Sequence, residues 1–324
     1  MKNKLLSLAS LLAVFNANAI EIGPTGSGVE FSGFVDVATS KQGNNSETTA
    51  AQVELNLGYT MGPVSAAVGL DFGESSVYGH NADDEGNSNL EEAYITYDFG
   101  NGFSVTGGRM LSYMGFEAFD PTNMYQFSYA YDVEGAQDIY DAYDTGASID
   151  YSSDMFSVGL WSSLETDAGF EYALAFTGVE NLTAKAIWSD FSAPATDAYK
   201  KSTFWISYQM GKLLLGAEVA EKDSLDVGTA EDADGNLVPA VDVDGMMIMA
   251  NYAVTDSAAI TLRYSETEYS SFDGVKYQEG SKFTVSPSYI FTDNLSGLLE
   301  YSSYDADLGT EKDELIAAEV IFTF

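Results

Sequence analysis

The segment VELNLGYT, residues 53–60, alternates two kinds of side chain without interruption. Its odd-numbered positions are apolar or aromatic: Val53, Leu55, Leu57 and Tyr59. Its even-numbered positions are polar or small: Glu54, Asn56, Gly58 and Thr60. Successive side chains of a β-strand point to opposite faces, so this period of two predicts a strand with one apolar face and one polar face.

The same period recurs along the chain, whereas the 3.6-residue period of a helix is hard to find. Residues 170–177 and 283–291 show it clearly, and residues 314–324 are predicted as a last strand that pairs with the one near Glu30. Short turn sequences separate the segments at 61–63, 100–102, 153–154, 178–181, 211–212, 255–256 and 292–294. Together these signals predict about sixteen strands.

Longer polar connections alternate with the tight turns. They lie near 39–49, 73–88, 111–142, 164–168, 190–201, 222–244, 269–279 and 306–312. Outer-membrane barrels have short turns at one end and larger loops at the other, and a sheet in lipid must close to pair every backbone group. We therefore predict an all-β fold, a transmembrane antiparallel β-barrel of about sixteen strands. A soluble β-sandwich, which also buries one face of each strand, is the alternative that alternation leaves open.

The first nineteen residues have the features of a secretory signal peptide. Two lysines precede an apolar run over 5–15, and the small-residue sequence ANA follows at 17–19. This run is shorter than the roughly 20 residues that span a bilayer. We predict a signal peptide at 1–19 and a single outer-membrane barrel domain at 20–324.

Charge and composition exclude several classes of protein. The chain has 13 basic and 50 acidic residues, a formal net charge of −37 that would repel nucleic acid. Its 45% hydrophobic and 13% aromatic residues do not suit an acidic disordered chain. It contains no cysteine, so disulfides do not contribute to its stability.

The polar face of the predicted strands is strongly acidic. If this face lines the lumen, its acidic residues are Glu30, Asp36, Glu54, Asp71, Glu92, Asp144, Asp150, Glu171, Glu218, Glu300 and Glu319. The basic residues placed with them are Lys185 and Arg263. A water-filled tube with this lining favours cations over anions. Alternatively, many of these carboxylates lie at the rims and only keep the wall hydrated.

The longest connection, residues 111–142, follows the fifth predicted strand and is too long for an ordinary hairpin loop. Folded into the lumen, it would narrow the pore; the alternatives are a functional surface loop and a loop that only braces the wall. Its candidate constriction residues are Glu117, Asp120, Asp132, Glu134, Asp138 and Asp141. Its tyrosines, which could stack on sugar rings, are Tyr113, Tyr125, Tyr129 and Tyr131.

Part of this region resembles a known family. The stretches GRMLSYMGFEAFDPTN (108–123), SYAYD (128–132) and YDTGASIDY (143–151) are similar to the pattern of OmpL-like β-barrel porins. The matching positions are Gly108, Arg109, Gly115, Phe116, Glu117, Asn123, Thr145 and Gly146. The resemblance covers about forty residues and implies an outer-membrane channel.

Catalytic and metal-binding motifs are weak. His80 is the only histidine and lies in a predicted loop, a poor place for the base of a Ser-His-Asp hydrolase. The sequence DADGN at 232–236 is similar to a calcium loop, but aligning Gly235 puts Ala230 first and Val241 twelfth, where carboxylates belong. We predict no enzymatic activity and no cofactor, and leave open a loose Ca²⁺ or Mg²⁺ site in the acidic loops.

These observations favour a porin that passes small hydrophilic solutes, with a preference for cations. The alternatives are a channel specific for a substrate such as a saccharide, and a plugged barrel that acts through its surface loops. We expect it in the outer membrane of a Gram-negative bacterium, in contact with lipid and lipopolysaccharide, as a homotrimer. Phe324 resembles the terminal signature by which the barrel assembly machinery recognises such proteins.

Overall fold

Sixteen antiparallel strands form one sheet that closes on itself, which confirms the predicted fold. The computed structural model describes residues 19–73, 89–117, 120–131, 139–164, 169–191, 198–224, 230–231, 237–238, 241–271, 276–306 and 313–324. The predicted signal peptide falls almost entirely outside these residues and stays a prediction. Within the described residues, no helix is long and apolar enough to span a membrane.

The barrel consists of β2 to β12 and β15 to β19. Their bounds are β2 Val29–Gln42, β3 Thr48–Met61, β4 Val64–Gly73, β5 Leu90–Gly100, β6 Phe103–Leu111, β7 Tyr143–Ser152, β8 Phe156–Ser163, β9 Phe170–Phe176, β10 Leu182–Phe191, β11 Tyr199–Met210, β12 Leu213–Ser224, β15 Val241–Ala253, β16 Ala258–Ser271, β17 Lys276–Thr292, β18 Leu295–Ala306 and β19 Asp313–Thr323. Three short strands accompany them: β1 Ile20–Glu21, which pairs with β2, and the pair β13 Ala230–Glu231 and β14 Leu237–Val238.

The seam between β19 and β2 closes the barrel, as predicted for the last strand. Ile321 lies opposite Asp36, and Thr323 lies opposite Phe34. Beyond the end of β19, Phe324 exchanges two main-chain hydrogen bonds with Gly33, each 3.0 Å long. The backbone pairing of the first and last barrel strands therefore extends to the final residue.

The two faces of the strands meet different environments. In β9 the odd-numbered residues are buried and point inward: Glu171, Ala173 and Ala175. The even-numbered residues are exposed and point outward: Phe170, Tyr172, Leu174 and Phe176. The other strands repeat this pattern, so the outside of the barrel is a broad apolar surface. A surface of this kind is stable in hydrocarbon and not in water.

The seven predicted short turns all connect neighbouring strands of the barrel. Asn101 adopts a left-handed conformation, with φ of 54°, between two glycines in the turn from β5 to β6. Asn and Gly tolerate this conformation at little cost, which is why the chain can reverse here in so few residues. Phe99 and Phe103 flank this turn and are 62% and 50% exposed, as expected for an aromatic girdle.

At the other end of the barrel the strands run further than alternation predicts. Within the connection expected near 39–49, β2 continues to Gln42 and β3 begins at Thr48. Within the one expected near 269–279, β16 continues to Ser271 and β17 begins at Lys276. Above the apolar belt both faces of a strand meet water, so the alternation of side chains fades while backbone pairing continues. The hydrogen bond of 3.1 Å between Thr39 and Thr49 belongs to this polar extension.

Candidate functional site: the inward loop and the lumen wall

The described parts of the connection between β6 and β7 fold into the lumen. We call its residues 112–142 the inward loop, and its described parts are 112–117, 120–131 and 139–142. At its start, Ser112 Oγ and the Tyr113 main-chain N–H donate to Glu171 on β9, at 2.6 and 3.0 Å. The Tyr113 hydroxyl donates to Asp150 on β7 at 2.7 Å. Two of the predicted lumen carboxylates therefore hold the loop instead of facing open water.

Glu218 on β12 is a third anchor. It accepts a hydrogen bond of 3.0 Å from the Phe116 main-chain N–H and others from the hydroxyls of Tyr131 and Tyr140. Glu218 is buried by these partners. Tyr113 and Tyr131 are two of the tyrosines that, from the sequence, could stack on sugar rings. In the structure their hydroxyls donate hydrogen bonds to the barrel wall.

Arg263 on β16 and Lys282 on β17 hold the middle of the inward loop, and we call this pair the basic anchor. Arg263 donates to the main-chain oxygens of Ser128 and Tyr129, at 2.7 and 3.0 Å. Lys282 donates to Ser128 Oγ at 2.5 Å and to the Tyr129 oxygen at 2.8 Å. Glu300 on β18 accepts the Ser128 main-chain N–H at 2.9 Å, so that the loop and the wall exchange hydrogen bonds in both directions.

Two acidic residues of the inward loop are paired with basic residues of the wall. Glu117 forms a buried ion pair with Arg263 and also accepts hydrogen bonds from Gln126, at 2.6 Å, and from the Ala130 main-chain N–H, at 2.7 Å. Asp141 pairs with Lys201 on β11 at 2.5 Å. Because each of these carboxylates is paired with a basic side chain, Glu117 and Asp141 add little net negative charge to the lumen.

Asp120 has a different environment. Its carboxylate meets those of Glu54 on β3 and Glu91 on β5, with one oxygen from each within 4.8 Å of the others. Asp71 lies opposite Glu54 in the sheet. We call Glu54, Asp71, Glu91, Glu92 and Asp120 the acidic corner. Burial raises the pKa of the Asp120 carboxyl to about 6, and the Asp71 charge adds to this rise.

Glu91 is a site residue that alternation misses. Glu92 and Glu91 are neighbours, so a regular strand would turn one of them outward. The register between β4 and β5 shifts at this point: Gly69 lies opposite Glu92, but Leu70 lies opposite Leu90, which leaves Glu91 as an extra residue. A bulge of this kind redirects a side chain, and here it brings both carboxylates to the lumen side. The doubled Glu in LEEAY is the only sequence signal.

The wall residues predicted to line the lumen lie on its inward face: Glu30, Asp36, Glu54, Asp71, Glu92, Asp144, Asp150, Glu171, Lys185, Glu218, Arg263, Glu300 and Glu319. Lys185 lies 5.3 Å from the ring of Trp205, a cation–π contact, and Asp144 Oδ1 accepts the Thr145 N–H at 2.6 Å. Asp132, Glu134 and Asp138 fall outside the described residues. Whether these groups set selectivity stays a prediction.

Lys201 and Lys282 also point inward, in addition to the predicted Lys185 and Arg263. The prediction of only two inward basic residues was therefore wrong. Lys282 has the same parity as Thr284 and Ser286, so alternation could have found it. The four buried basic residues lie on β10, β11, β16 and β17, whereas the acidic corner lies on β3 to β5. The acidic corner and the four buried basic residues therefore lie on different strands of the lumen wall.

A cavity of about 210 Å³ lies between the inward loop and strands β6 to β11. Aromatic rings and carboxylates line it together: Tyr113, Tyr143, Trp161, Phe191 and Tyr199 with Asp141, Asp144 and Glu171. Phe191 and Tyr199 stack with their ring centroids 5.0 Å apart. Stacked rings beside acidic hydrogen-bond acceptors are a surface to which sugars can bind.

A closed barrel of sixteen strands with its longest loop inside the lumen has the architecture of an outer-membrane porin. The chain belongs to the family described as "Putative beta-barrel porin-2, OmpL-like", which matches residues 28–324. The family suggested by residues 108–151 is thereby confirmed over nearly the whole chain. No curated protein matches this chain in sequence.

Solved outer-membrane proteins have the same fold at low sequence identity. An OmpT of Vibrio cholerae without loop L8 has 15% identity and a TM-score of 0.65, covering 91% of this chain and 99% of its own. The anion-selective porin of Comamonas acidovorans has 13% identity and a TM-score of 0.66, covering 91% and 99%. OmpF of Salmonella typhi has 12% identity and a TM-score of 0.62, covering 94% and 100%. The likeness concerns the fold.

Proposed function

We propose that this protein is a non-enzymatic channel of the outer membrane that passes small hydrophilic solutes and prefers cations. The observation that carries the proposal is the acidic corner, where carboxylates gather on one side of the lumen wall. Elsewhere in the described part of the inward loop, Glu117 and Asp141 are paired with Arg263 and Lys201. Asp120 of the same loop instead meets the carboxylates of Glu54 and Glu91, so that negative charge gathers at this corner of the lumen wall.

A field of this sign raises the local concentration of cations and lowers that of anions. The fold by itself does not decide selectivity, since a porin whose name states anion selectivity has the same fold. Side chains must decide it, and among the buried residues of the described chain the acidic ones outnumber the basic ones. Salt weakens the effect because it screens exposed charges over about 10 Å at 0.1 M ionic strength.

Planar-bilayer recording in a KCl gradient tests both parts of the proposal. We expect conductance steps, and a reversal potential that indicates preference for K⁺ over Cl⁻. The double variant Glu54→Gln with Glu92→Gln should move the reversal potential toward zero. Glu180→Gln, an exposed carboxylate in the turn between β9 and β10, is the control for the loss of charge. An absence of steps would refute the channel, and a preference for Cl⁻ would refute the cation selectivity.

The cavity lined by Trp161, Phe191 and Tyr199 favours a saccharide-specific channel as the second candidate. A bound sugar would block the current in a saturable manner. Trp161→Ala should abolish such block, whereas Trp188→Ala, on the outward face, should leave it unchanged. A response that stays linear with every sugar tested would reject this candidate.

The numerous hydrogen bonds of the inward loop also favour a third candidate, a barrel that is plugged and acts through its surface loops. A liposome-swelling assay separates it from both channels. Entry of small sugars would reject the plugged barrel, and a complete lack of swelling would support it.

The proposal includes the cellular context. We infer export by the segment 1–19, assembly through Phe324, contact with lipid and lipopolysaccharide, and a homotrimer. A structure with a similar fold, OmpT of Vibrio cholerae at 15% identity and a TM-score of 0.63, is described in a trimer form. Cross-linking in isolated outer membranes tests the trimer, and dimers or monomers alone would refute it. Phe324→Ala should lower the amount of folded barrel in the outer membrane.

A further inference from the structure

The acidic corner contains buried carboxylate oxygens that the protein itself does not satisfy. Glu54 is only 4% exposed, and its Oε2 has no hydrogen-bond partner among the described residues. Oε2 of Glu91, Oδ1 of Asp71 and Oδ1 of Asn56 also lack a partner among these residues. The other polar atoms of these three side chains are bonded to Tyr143, Gln52 and Glu54. Buried polar atoms are nearly always paired, and leaving one unpaired destabilises the protein, more so when the group is charged. Several of them in one place indicate a missing partner that is positively charged.

The conformation of Asp120 gives independent support. Asp120 precedes a short 3₁₀ helix, Pro121–Asn123, at the position where an aspartate usually caps the helix with its own side chain. Its side chain makes no such hydrogen bond. The carboxylate is instead directed to Glu54 and Glu91 on the wall. Local hydrogen bonding therefore does not explain this orientation.

The local backbone of the wall also brings these carboxylates together and leaves space in front of them. The bulge at Glu91 adds a third carboxylate to a face that already carries Glu54 and Glu92. Gly69, between Asn56 and Glu92 in the sheet, leaves space in front of them, since a Cβ atom there would lie 2.7 Å from Glu92 Cγ. Arg109 on β6 donates its Nε–H to the main-chain oxygen of Glu91, at 3.1 Å.

We propose that Glu54, Glu91 and Asp120 bind one Ca²⁺ ion, which fastens the inward loop to strands β3 and β5. All the available ligand atoms are oxygens, from carboxylates and an amide, and Ca²⁺ prefers such ligands in a flexible arrangement of six to eight. Asp71 and Asn56 supply further oxygens at the edge of the site, and water would complete the shell. Mg²⁺ fits less well because it requires a strict octahedron and keeps most of its water.

The ion would do on this side of the lumen what the basic anchor does on the other. Arg263 and Lys282 supply positive charge between the inward loop and β16 to β18. Between the same loop and β3 to β5 the Ca²⁺ ion supplies it. The ion would also lower the negative charge beside the solute path, so that Ca²⁺ concentration would tune cation selectivity. The site itself is independent of whether solutes pass.

Protons are the competing explanation, because Glu54 and Asp120 are close enough to share one. A shared proton would relieve the repulsion of one pair without any metal. The two explanations differ in what a neutral substitution does. Glu91→Gln removes a ligand and weakens a Ca²⁺ site, but it leaves a proton shared between Glu54 and Asp120 in place.

Calcium binding by the purified chain in detergent micelles tests the proposal. Isothermal titration with Ca²⁺ at high KCl, which screens exposed carboxylates, should detect one saturable site per chain. Glu91→Gln and Asp120→Asn should each weaken this site about tenfold or more, and Ca²⁺ should no longer raise their thermal unfolding midpoint. Glu180→Gln, an exposed turn residue, should bind like the unchanged chain.

The outcomes that overturn the proposal are distinct. A chain with no saturable Ca²⁺ site at high salt, or a site that both variants keep, refutes it. Loss of the site in Glu180→Gln as well would mean that only diffuse charge attracts the ion, which also refutes it. Since a heat-modifiable barrel on an electrophoresis gel establishes folding for each variant, failure to fold cannot imitate loss of the site. Because binding is measured directly, an absence of conductance would leave this result unaffected.

Discussion

The inward loop is held to the lumen wall in two opposite ways. At β16 to β18 the wall supplies positive charge, and Arg263 forms a buried ion pair with Glu117 while donating to two main-chain oxygens. At β3 to β5 both partners are negative, since Asp120 meets Glu54 and Glu91. The first contact is complete within the chain, and the second depends on a cation or a proton from solution. The same loop can therefore be rigid on one side and responsive to its surroundings on the other.

Removing the basic anchor should have the largest effect. Arg263→Met leaves Glu117 buried without its ionic partner, and we expect a loss of about 3–5 kcal/mol in the free energy of unfolding. Denaturant-induced unfolding in micelles measures this loss. Lys276→Met is the control, because Lys276 bridges Glu268 and Glu279 at the exposed end of the barrel and should change little. Equal midpoints for the two variants would contradict the comparison.

Removing charge from the acidic corner should act in the opposite direction. With a chelator present, Glu91→Gln relieves repulsion between carboxylates and should raise the free energy of unfolding by about 1–2 kcal/mol. With excess Ca²⁺ the same variant should be less stable than the unchanged chain. Thermal unfolding in the two buffers measures both signs. Glu91 also accepts a hydrogen bond from Tyr143, which a Gln side chain can keep. A loss of stability in chelator would therefore mean that the carboxylates of the acidic corner repel one another only weakly.

Adding a methyl group at Gly69, within the acidic corner, should have a smaller effect on the free energy of unfolding. The Cβ atom of Gly69→Ala would lie 2.7 Å from Glu92 Cγ and 2.9 Å from Asn56 Oδ1, so these side chains must shift. We expect a cost of about 1 kcal/mol and a weaker response to Ca²⁺. Gly107→Ala is the matched control, since a Cβ atom there has open space around it. An unchanged Ca²⁺ response in Gly69→Ala would place the ion away from Asn56.

A substitution at the start of the inward loop should have the smallest effect on the free energy of unfolding. Tyr113→Phe removes the hydroxyl that donates to Asp150 and should cost about 0.5–1 kcal/mol, the usual worth of one hydrogen bond. Tyr301→Phe, whose hydroxyl donates to Glu314 on the exposed surface, should be neutral. Denaturant unfolding of both variants decides this. A loss as large as that of Arg263→Met would mean that the contacts with β7 hold the loop as firmly as the basic anchor.

Alternation placed most wall residues correctly because it depends only on local geometry. Glu171 and Asp150 follow the period of two, and both point inward. Glu91 breaks the period, because a bulge depends on how β4 and β5 pair and not on the sequence of β5 alone. The tight turns were equally local, as Asn101 between two glycines illustrates. The ends of the strands could not be predicted locally, because backbone pairing continues where the alternation of side chains stops.

The sequence by itself determined the barrel: the period of two, the sorting of turns and loops, and the acidic character of the lumen follow from nearest neighbours along the chain. Only the tertiary structure decided what those acidic residues do. Glu117 and Asp120 lie three positions apart in the same loop, yet one meets Arg263 and the other meets Glu54. The physical reason is that the effect of a charge depends on its distance to other charges and on its burial, and these are set by strands far away in sequence.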